Sequence, residues 1–358
     1  MASRRILSMG ASYGSLLAIK LVAAGHAVTL ACVPAEVEAF NSGGARVRLP
    51  VRGSDRLVEV DSRTLPGQLD AAVPQDLSPG GYDLVVLAMQ EPQYRSPGVR
   101  ELLGAVAEAG VPCMSIMNMP PPPFLARIPK VDVAACRDCY TDFAAWDAFD
   151  PALVTLCSPD PQAFRPPGEP VNVLQVRLPT NFKAARFPSG PHTALLHELA
   201  SGIEAARFDT PDGRIELPVK LKVFESTFVP LAKWSMLLAG NYRCVQADGM
   251  RSIKDAVHGD LVETRAVYDW VSELCRTLGA AQDDLVQFEK YANAAQSLLN
   301  PSSAARALVN SAPHIERVDR LVQTIGRQNG MRSEAIDGIV AAVDHWIARN
   351  RAAAAAAK

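Results

Sequence analysis

The chain has 358 residues, 48% of them hydrophobic and 21% charged, with a formal net charge of -2. That is length for two domains and enough apolar surface to give each a core, and the near balance of charge supplies no electrostatic reason for nucleic acid or an anionic membrane as partner. No stretch approaches the roughly 18 uninterrupted apolar residues of a membrane span. The apolar run behind Arg4 and Arg5 is broken by Ser8, Gly10 and Ser12 before it can form a signal-peptide core, so the expectation is a cytoplasmic protein. Seven cysteines, an odd number scattered from Cys32 to Cys275, read as reduced thiols. Cys136 and Cys139 have CxxC spacing, but no second pair and no histidines at ligand spacing follow; no metal is expected, and the pair reads as small buried hydrophobes. His192, His197 and His258 likewise show no ligand spacing.

In chain order, residues 4–9 form a short apolar run, a small-residue turn follows, and residues 15–25 carry helical periodicity closed by Gly25. Residues 26–32 read as a second buried strand, which completes a β-turn-α-β unit of the kind that binds a mononucleotide. Further strands fit residues 82–89, 111–118 and 171–179, with a helix over 99–110 between the first two. Strands alternating with helices imply a doubly wound parallel sheet of Rossmann type. Pro120 to Pro123 predict an extended or polyproline exit from the sheet. Residues 141–170, rich in Asp and Pro, read as an excursion, and residues 192–209 as a helix followed by a strand. From Val219 the pattern is helical throughout, over 219–240, 251–278, 281–298, 302–309 and 313–329. The expected organisation is a dinucleotide-binding domain over 1–218, an all-helical domain over 219–350 and a low-complexity tail over 351–358.

A dinucleotide turn wants glycine at three places: for the tight bend, for the approach of backbone to pyrophosphate, and for helix–strand packing. Counted back from Gly14, those places hold Met9, Ala11 and Gly14. Gly10 can take over the bend, Ala11 is small, and the backbone N–H groups of residues 12–15 lie at the positive end of the following helix. Gly10, Ala11, Ser12, Tyr13 and Gly14 are therefore the candidate pyrophosphate site. At the end of the second strand, Cys32-Val33-Pro34-Ala35-Glu36 presents no arginine for an NADP 2′-phosphate. Glu36 either reaches a ribose or is a first-turn acid of the helix that begins there.

Several segments together resemble the ketopantoate reductases (2-dehydropantoate 2-reductases). The likeness runs through RRILSMGASYGSLLA and AAGHAVTLACVPAEVEAF, then YDLVVLAMQEPQ, with Gln90 where the family has a lysine, and SIMNMP, whose Asn118 matches the family's cofactor-side asparagine. LAKWSMLLAGNYRC resembles the family's catalytic helix, a lysine followed at intervals of four by two asparagines. Lys233 matches the lysine, Asn241 the second asparagine, and Leu237 replaces the first. The stretch from Asn300 to Met331 is similar to the family's serine pair and acid-bearing helix, with His314 or Glu316 near the place of its glutamate.

The resemblance implies reduction of a small 2-oxo acid by NADPH, with NAD as the alternative cofactor, in an interdomain cleft, and a homodimer as a family-level expectation. It makes Lys233 and Glu316 the candidate catalytic residues, Asn241 and Ser302 the substrate-binding ones, and Gln90 and Asn118 additions to the cofactor site. Hydride transfer to a carbonyl leaves an alkoxide, which a cleft-facing lysine can stabilise and protonate. On a regular helix, positions i, i+4 and i+8 fall along one slanting ridge, which would bring Lys233 and Asn241 to a common face. Without the family pattern, Lys233 reads as a lysine snorkelling from a buried helix, Asn241 as a helix C-cap, Ser302 as an N-cap after Pro301, and Glu316 as an exposed helix residue. Two other functions stand beside the reductase: an opine-type dehydrogenase reducing an imine, and a nucleotide sensor that keeps the fold without turnover.

Overall fold

The computed structural model describes residues 2–51, 56–211 and 213–356. They form two compact units, one of Met1–Met89, Gln93–Phe124 and Ala144–Glu225, the other of Gln90–Pro92, Leu125–Phe143 and Ser226–Lys358. The change to helices expected at Val219 comes a few residues later, because the strand Leu221–Phe224 still belongs to the sheet of the first unit.

That sheet has eight strands in the order Leu221–Phe224, Phe182–Ala185, Val154–Ser158, Cys113–Ile116, Leu84–Leu87, Arg5–Met9, Ala27–Ala31 and Gln68–Ala72. Every neighbouring pair is parallel except Val154–Ser158 with Phe182–Ala185. Leu84–Leu87 and Cys113–Ile116 are buried along their whole length, which is why they read as apolar runs without alternation. Val154–Ser158 is equally buried but lies within the stretch read as an excursion, because its Asp- and Pro-rich flanks mask it. The helix Gly14–Ala23 is buried all round and packs its Leu16, Ile19 and Val22 into the same core as Ile6, Leu30 and Val86. Strand order reverses between Arg5–Met9 and Leu84–Leu87, the switch point at whose carboxyl edge such sheets bind ligands.

Two local expectations are corrected. The strand foreseen over 171–179 forms as Val173–Leu178 but joins a separate four-stranded sheet, parallel to Arg46–Pro50 and antiparallel to Gln162–Phe164. Its side chains are buried at one end and exposed at the other, a pattern of an outlying sheet that its apolar composition conceals. Pro120–Pro123 are not wholly extended: Pro122 and Pro123 open the short helix Pro122–Leu125, whose first turn needs no N–H donor.

The second unit carries the helices Ile253–His258, Leu261–Leu278, Phe288–Ala295, Ser303–Val309, Val318–Gln328 and Glu334–Ala356. Its one departure from an all-helical unit among the described residues is a two-residue ladder, Val245–Gln246 against Gly249–Met250. The alanine-rich tail is helical to Ala356, as the high helix propensity of alanine favours. Among the described residues no helix is long and apolar enough to cross a membrane.

Candidate functional site

The first unit brings the predicted pyrophosphate residues together at the switch point. Gly10 has φ +110°, and a Cβ there would lie 2.9 Å from the Ala88 carbonyl oxygen, so the bend requires glycine although it falls one place after the orthodox position. Its N–H donates to the Ala31 carbonyl at 3.0 Å, tying the turn to the second strand. Met9, which stands where the first glycine would be, is instead the fully buried last residue of its strand. A Cβ on Gly14 would run into Ser8 Oγ and approach Ala88 Cβ at 3.2 Å, the tight helix–strand packing expected of the third glycine. Ala11 is 3% exposed and packs in the core, so its methyl does not crowd the open side of the turn. Ser12 is exposed, and the Tyr13 hydroxyl donates to the Pro161 carbonyl at 2.5 Å, which holds the turn against the Asp/Pro-rich excursion. The N–H groups at the start of Gly14–Ala23 are those a helix leaves without internal acceptors, so the residues present fit a dinucleotide phosphate. Asn118, half-buried, follows the carboxyl end of Cys113–Ile116.

The second unit holds Gln90, Lys233, Asn241, Ser302 and Glu316. Gln90 is exposed; beside it Glu91 is 2% exposed and accepts hydrogen bonds from the Thr141 N–H at 2.8 Å and hydroxyl at 2.9 Å. Lys233 and Asn241 lie on one segment, but it is not the regular helix that the sequence suggests. A 3₁₀ turn over Pro230–Ala232 passes into α-helix at Lys233–Met236, a π-turn at Leu237–Asn241 and a second 3₁₀ turn at Tyr242–Cys244. Over eight residues an α-helix would rotate Asn241 roughly 80° past Lys233. The wider π-turn rotates less per residue and takes back much of that angle, which brings the two positions nearer a common line along the segment.

Side chains from three neighbouring elements hold this irregular segment, and one of its own reaches outward. The Tyr291 hydroxyl donates to the Met236 carbonyl at 3.1 Å, and the oxygen fits there because residue 240 is glycine: a Cβ on Gly240 would collide with it and lie 3.2 Å from Val257 Cγ2. Ser235 and Ser272 share a hydrogen bond of 3.0 Å. The Ser302 hydroxyl donates to the Asn241 carbonyl at 2.6 Å and accepts from the Ala305 N–H at 3.2 Å as the N-cap of Ser303–Val309. Ser302 is 2% exposed. Its side chain is thus committed to the cap and to the Asn241 carbonyl. The Tyr242 hydroxyl donates to the Glu316 carbonyl and accepts from the Val318 N–H at 3.1 Å, so Asn241 and Glu316 are joined through one buried tyrosine. Burial holds that phenol well above its ordinary pKa, so it remains a donor. Glu316 is 7% exposed, not the exposed helix residue of the bland reading. It adjoins the buried Arg317–Asp319 ion pair, whose Nη2–Oδ2 distance is 2.9 Å. Lys233 is half-buried. Asn241 is half-buried as well, and among the described residues its side-chain amide has no hydrogen-bond partner.

No family model matches the chain, and no curated protein matches it in sequence. Solved structures match it over nearly its whole length. A protein described as a ketopantoate reductase from Ralstonia solanacearum MolK2 aligns with a TM-score of 0.66 at 18% identity, covering 98% of this chain and 99% of that one. A ketopantoate reductase from Ralstonia eutropha JMP134 aligns with a TM-score of 0.64 at 16% identity over 97% and 99% of the two chains. The chain has the ketopantoate reductase fold. D-mandelate dehydrogenase, in its ternary structure with NADH and anilino(oxo)acetate, shares that fold with a TM-score of 0.64 at 13% identity over 97% and 99%.

Against the ketopantoate reductase fold, the residues that sequence reasoning missed are Tyr242, Tyr291 and Gly240. Gly240 alone had left a signal, a glycine inside an otherwise helical, apolar run. The two tyrosines act across the fold, and nothing in their own neighbourhood marks them. Cys136 and Cys139 are buried, and burial pushes their thiols up to about 12 and about 11, the behaviour of packing groups rather than nucleophiles.

Proposed function

We propose that this chain is an NAD(P)H-dependent reductase that takes a small 2-oxo acid to the 2-hydroxy acid. The observation that carries the reading is the π-turned segment, which sets a half-buried lysine and an asparagine with an uncommitted amide eight residues apart in the ketopantoate reductase fold. Two neighbours of that fold are named for ketopantoate and for D-mandelate. These compounds share a carboxylate beside a carbon that is either carbonyl or carbinol, and this supports a 2-oxo acid as the substrate class.

A dinucleotide held by its pyrophosphate at the Gly10–Gly14 turn would supply, from its reduced nicotinamide, the hydride that the substrate carbonyl carbon needs. Lys233 has the chemistry for the other half of the reaction: its ammonium stabilises negative charge developing on the carbonyl oxygen and then gives that oxygen a proton. The Asn241 amide donates to the same oxygen or accepts from the product hydroxyl. Ser302 holds the Asn241 backbone, and Tyr242 holds the backbone at Glu316, the carboxylate we place beside the substrate.

Lys233→Met tests this directly, because it keeps the aliphatic stem and removes the charge and the donor. Folding, followed by circular dichroism, and cofactor affinity should be nearly unchanged, while kcat on a panel of 2-oxo acids falls on the order of 100-fold or more. Lys233→Arg should restore turnover only in part, since guanidinium is a poor proton donor near neutral pH. A folded methionine variant with wild-type turnover would move the chemistry away from this segment. Cofactor binding without turnover, on 2-oxo acids and on oxo acid plus amine mixtures, would favour a nucleotide sensor.

A further inference from the structure

Resting on the cofactor site just proposed, we infer that Glu36 and Arg165 make this chain prefer NADH to NADPH. A dinucleotide held at the Gly10–Gly14 turn places its adenosine ribose at the carboxyl end of the second strand, Ala27–Ala31, where an acid selects the ribose hydroxyls and a basic group selects the 2′-phosphate. The groups at that edge of this chain are unsuited to a phosphate. Val33, the last residue before the helix Pro34–Gly43, is apolar and 58% exposed. Pro34 has no N–H to offer, and the N–H groups of Glu36 and Val37 both donate to the Val33 carbonyl, at 2.9 and 3.0 Å. The first turn of this helix therefore lacks most of the donors that make a helix start an anion site.

The charges at the same edge cancel. Glu36 Oε1 lies 2.6 Å from Arg165 Nη1, with the glutamate side chain 17% exposed and the arginine side chain 30%. The other terminal nitrogen of Arg165, Nη2, is enclosed and without a hydrogen-bond partner among the described residues, so it presents no face to a ligand. Both charges act on the buried Cys32 thiol at the strand end: burial pushes it up to about 12, Glu36 adds to the rise and Arg165 opposes it. A 2′-phosphate, carrying about two negative charges, would meet the Glu36 carboxylate or have to take Arg165 from it. Ribose hydroxyls meet a carboxylate that accepts from them and is held in place by its partner.

The experiment is a titration of the purified protein with NADH and with NADPH, read by calorimetry or nicotinamide fluorescence and independent of turnover. NADH should bind tighter by at least about tenfold, the scale of a like-charge contact. Glu36→Gln should narrow the gap, and Val33→Arg, at an exposed position that leaves folding intact, should reverse it. Arg165→Ala should leave the carboxylate unopposed and weaken NADPH further. Equal or tighter binding of NADPH by the wild-type protein, lost in Arg165→Ala, would overturn the preference and make Arg165 the phosphate ligand. Failure to bind either nucleotide would instead overturn the cofactor site itself.

Discussion

The Gly10–Gly14 turn and the Pro230–Cys244 segment both depend on glycine, but for opposite reasons. Gly10 and Gly14 serve their own neighbourhood: one takes a positive φ, and the other lets a helix lie against the strand it has just left. Gly240 serves a residue fifty-one positions away, making room for the Tyr291 hydroxyl on the Met236 carbonyl. The first arrangement is a property of a strand–turn–helix unit, the second of a packed unit. The first is legible in short motifs, whereas the phase of the second is set by contacts distant in sequence.

Breaking the local half should have the largest effect. Gly14→Val puts a branched side chain into Ser8 and Ala88, so nucleotide binding should be abolished in calorimetric titration while circular dichroism reports whether the sheet survives. Unchanged affinity in a folded variant would remove the pyrophosphate from this turn. In the other half, Gly240→Ala drives a methyl into the Tyr291 hydroxyl and should cost about 2–3 kcal/mol in denaturant unfolding, the scale of overpacking. Its kcat should fall with cofactor affinity retained, the reverse of the Gly14 pattern. Tyr291→Phe removes one hydrogen bond without adding volume and should cost about 1 kcal/mol. If the π-turn sets the Lys233–Asn241 phase, its kcat should fall more than its KM changes; a stability loss with kinetics intact would reduce the contact to packing.

A further test uses Lys20, in the buried helix Gly14–Ala23, and sharpens what burial alone does to a lysine. Its Nζ donates to the Leu217 and Pro218 carbonyls at 3.1 and 2.9 Å, and burial, with Lys220 nearby, lowers its pKa to about 7. The unfolded chain keeps that proton up to the ordinary lysine range, so between about pH 7 and 10 it binds more protons than the folded chain and stability rises with pH. The slope is at most about 1.4 kcal/mol per pH unit. Measured as wild type minus Lys20→Met, the difference should climb through that window; a flat difference would mean that Lys20 is solvated or paired more strongly than its surroundings show.

The sequence carried a good deal of this architecture. Unbroken apolar runs marked the central strands, because helices cover both faces of the sheet. The positive φ of Gly10 and the close packing at Gly14 made the turn readable despite Met9 and Ala11. The short strands Gln68–Ala72, Val154–Ser158, Phe182–Ala185 and Leu221–Phe224 escaped notice, since runs of four or five residues broken by polar or small side chains are settled as strands only by their neighbours' hydrogen bonds. Val173–Leu178 read correctly as a strand and wrongly as part of the main sheet, because the alternation within a strand says nothing about its partner.

In the candidate site the division falls along the same line. It was the resemblance, carried by short stretches of sequence, that singled out Lys233, Asn241 and Glu316, for residue type and spacing alone read them as a snorkelling lysine, a cap and a surface acid; the fold that the resemblance implied is the fold observed. The π-turn, the capping of Ser302 against Asn241, the tyrosine between Asn241 and Glu316, and the arrival of Arg165 at Glu36 were decided by tertiary structure alone. The last three are hydrogen bonds or an ion pair between residues at least 61 positions apart, and the π-turn is met by a tyrosine 55 positions from its acceptor; periodicity within a window of ten or twenty residues holds no trace of them.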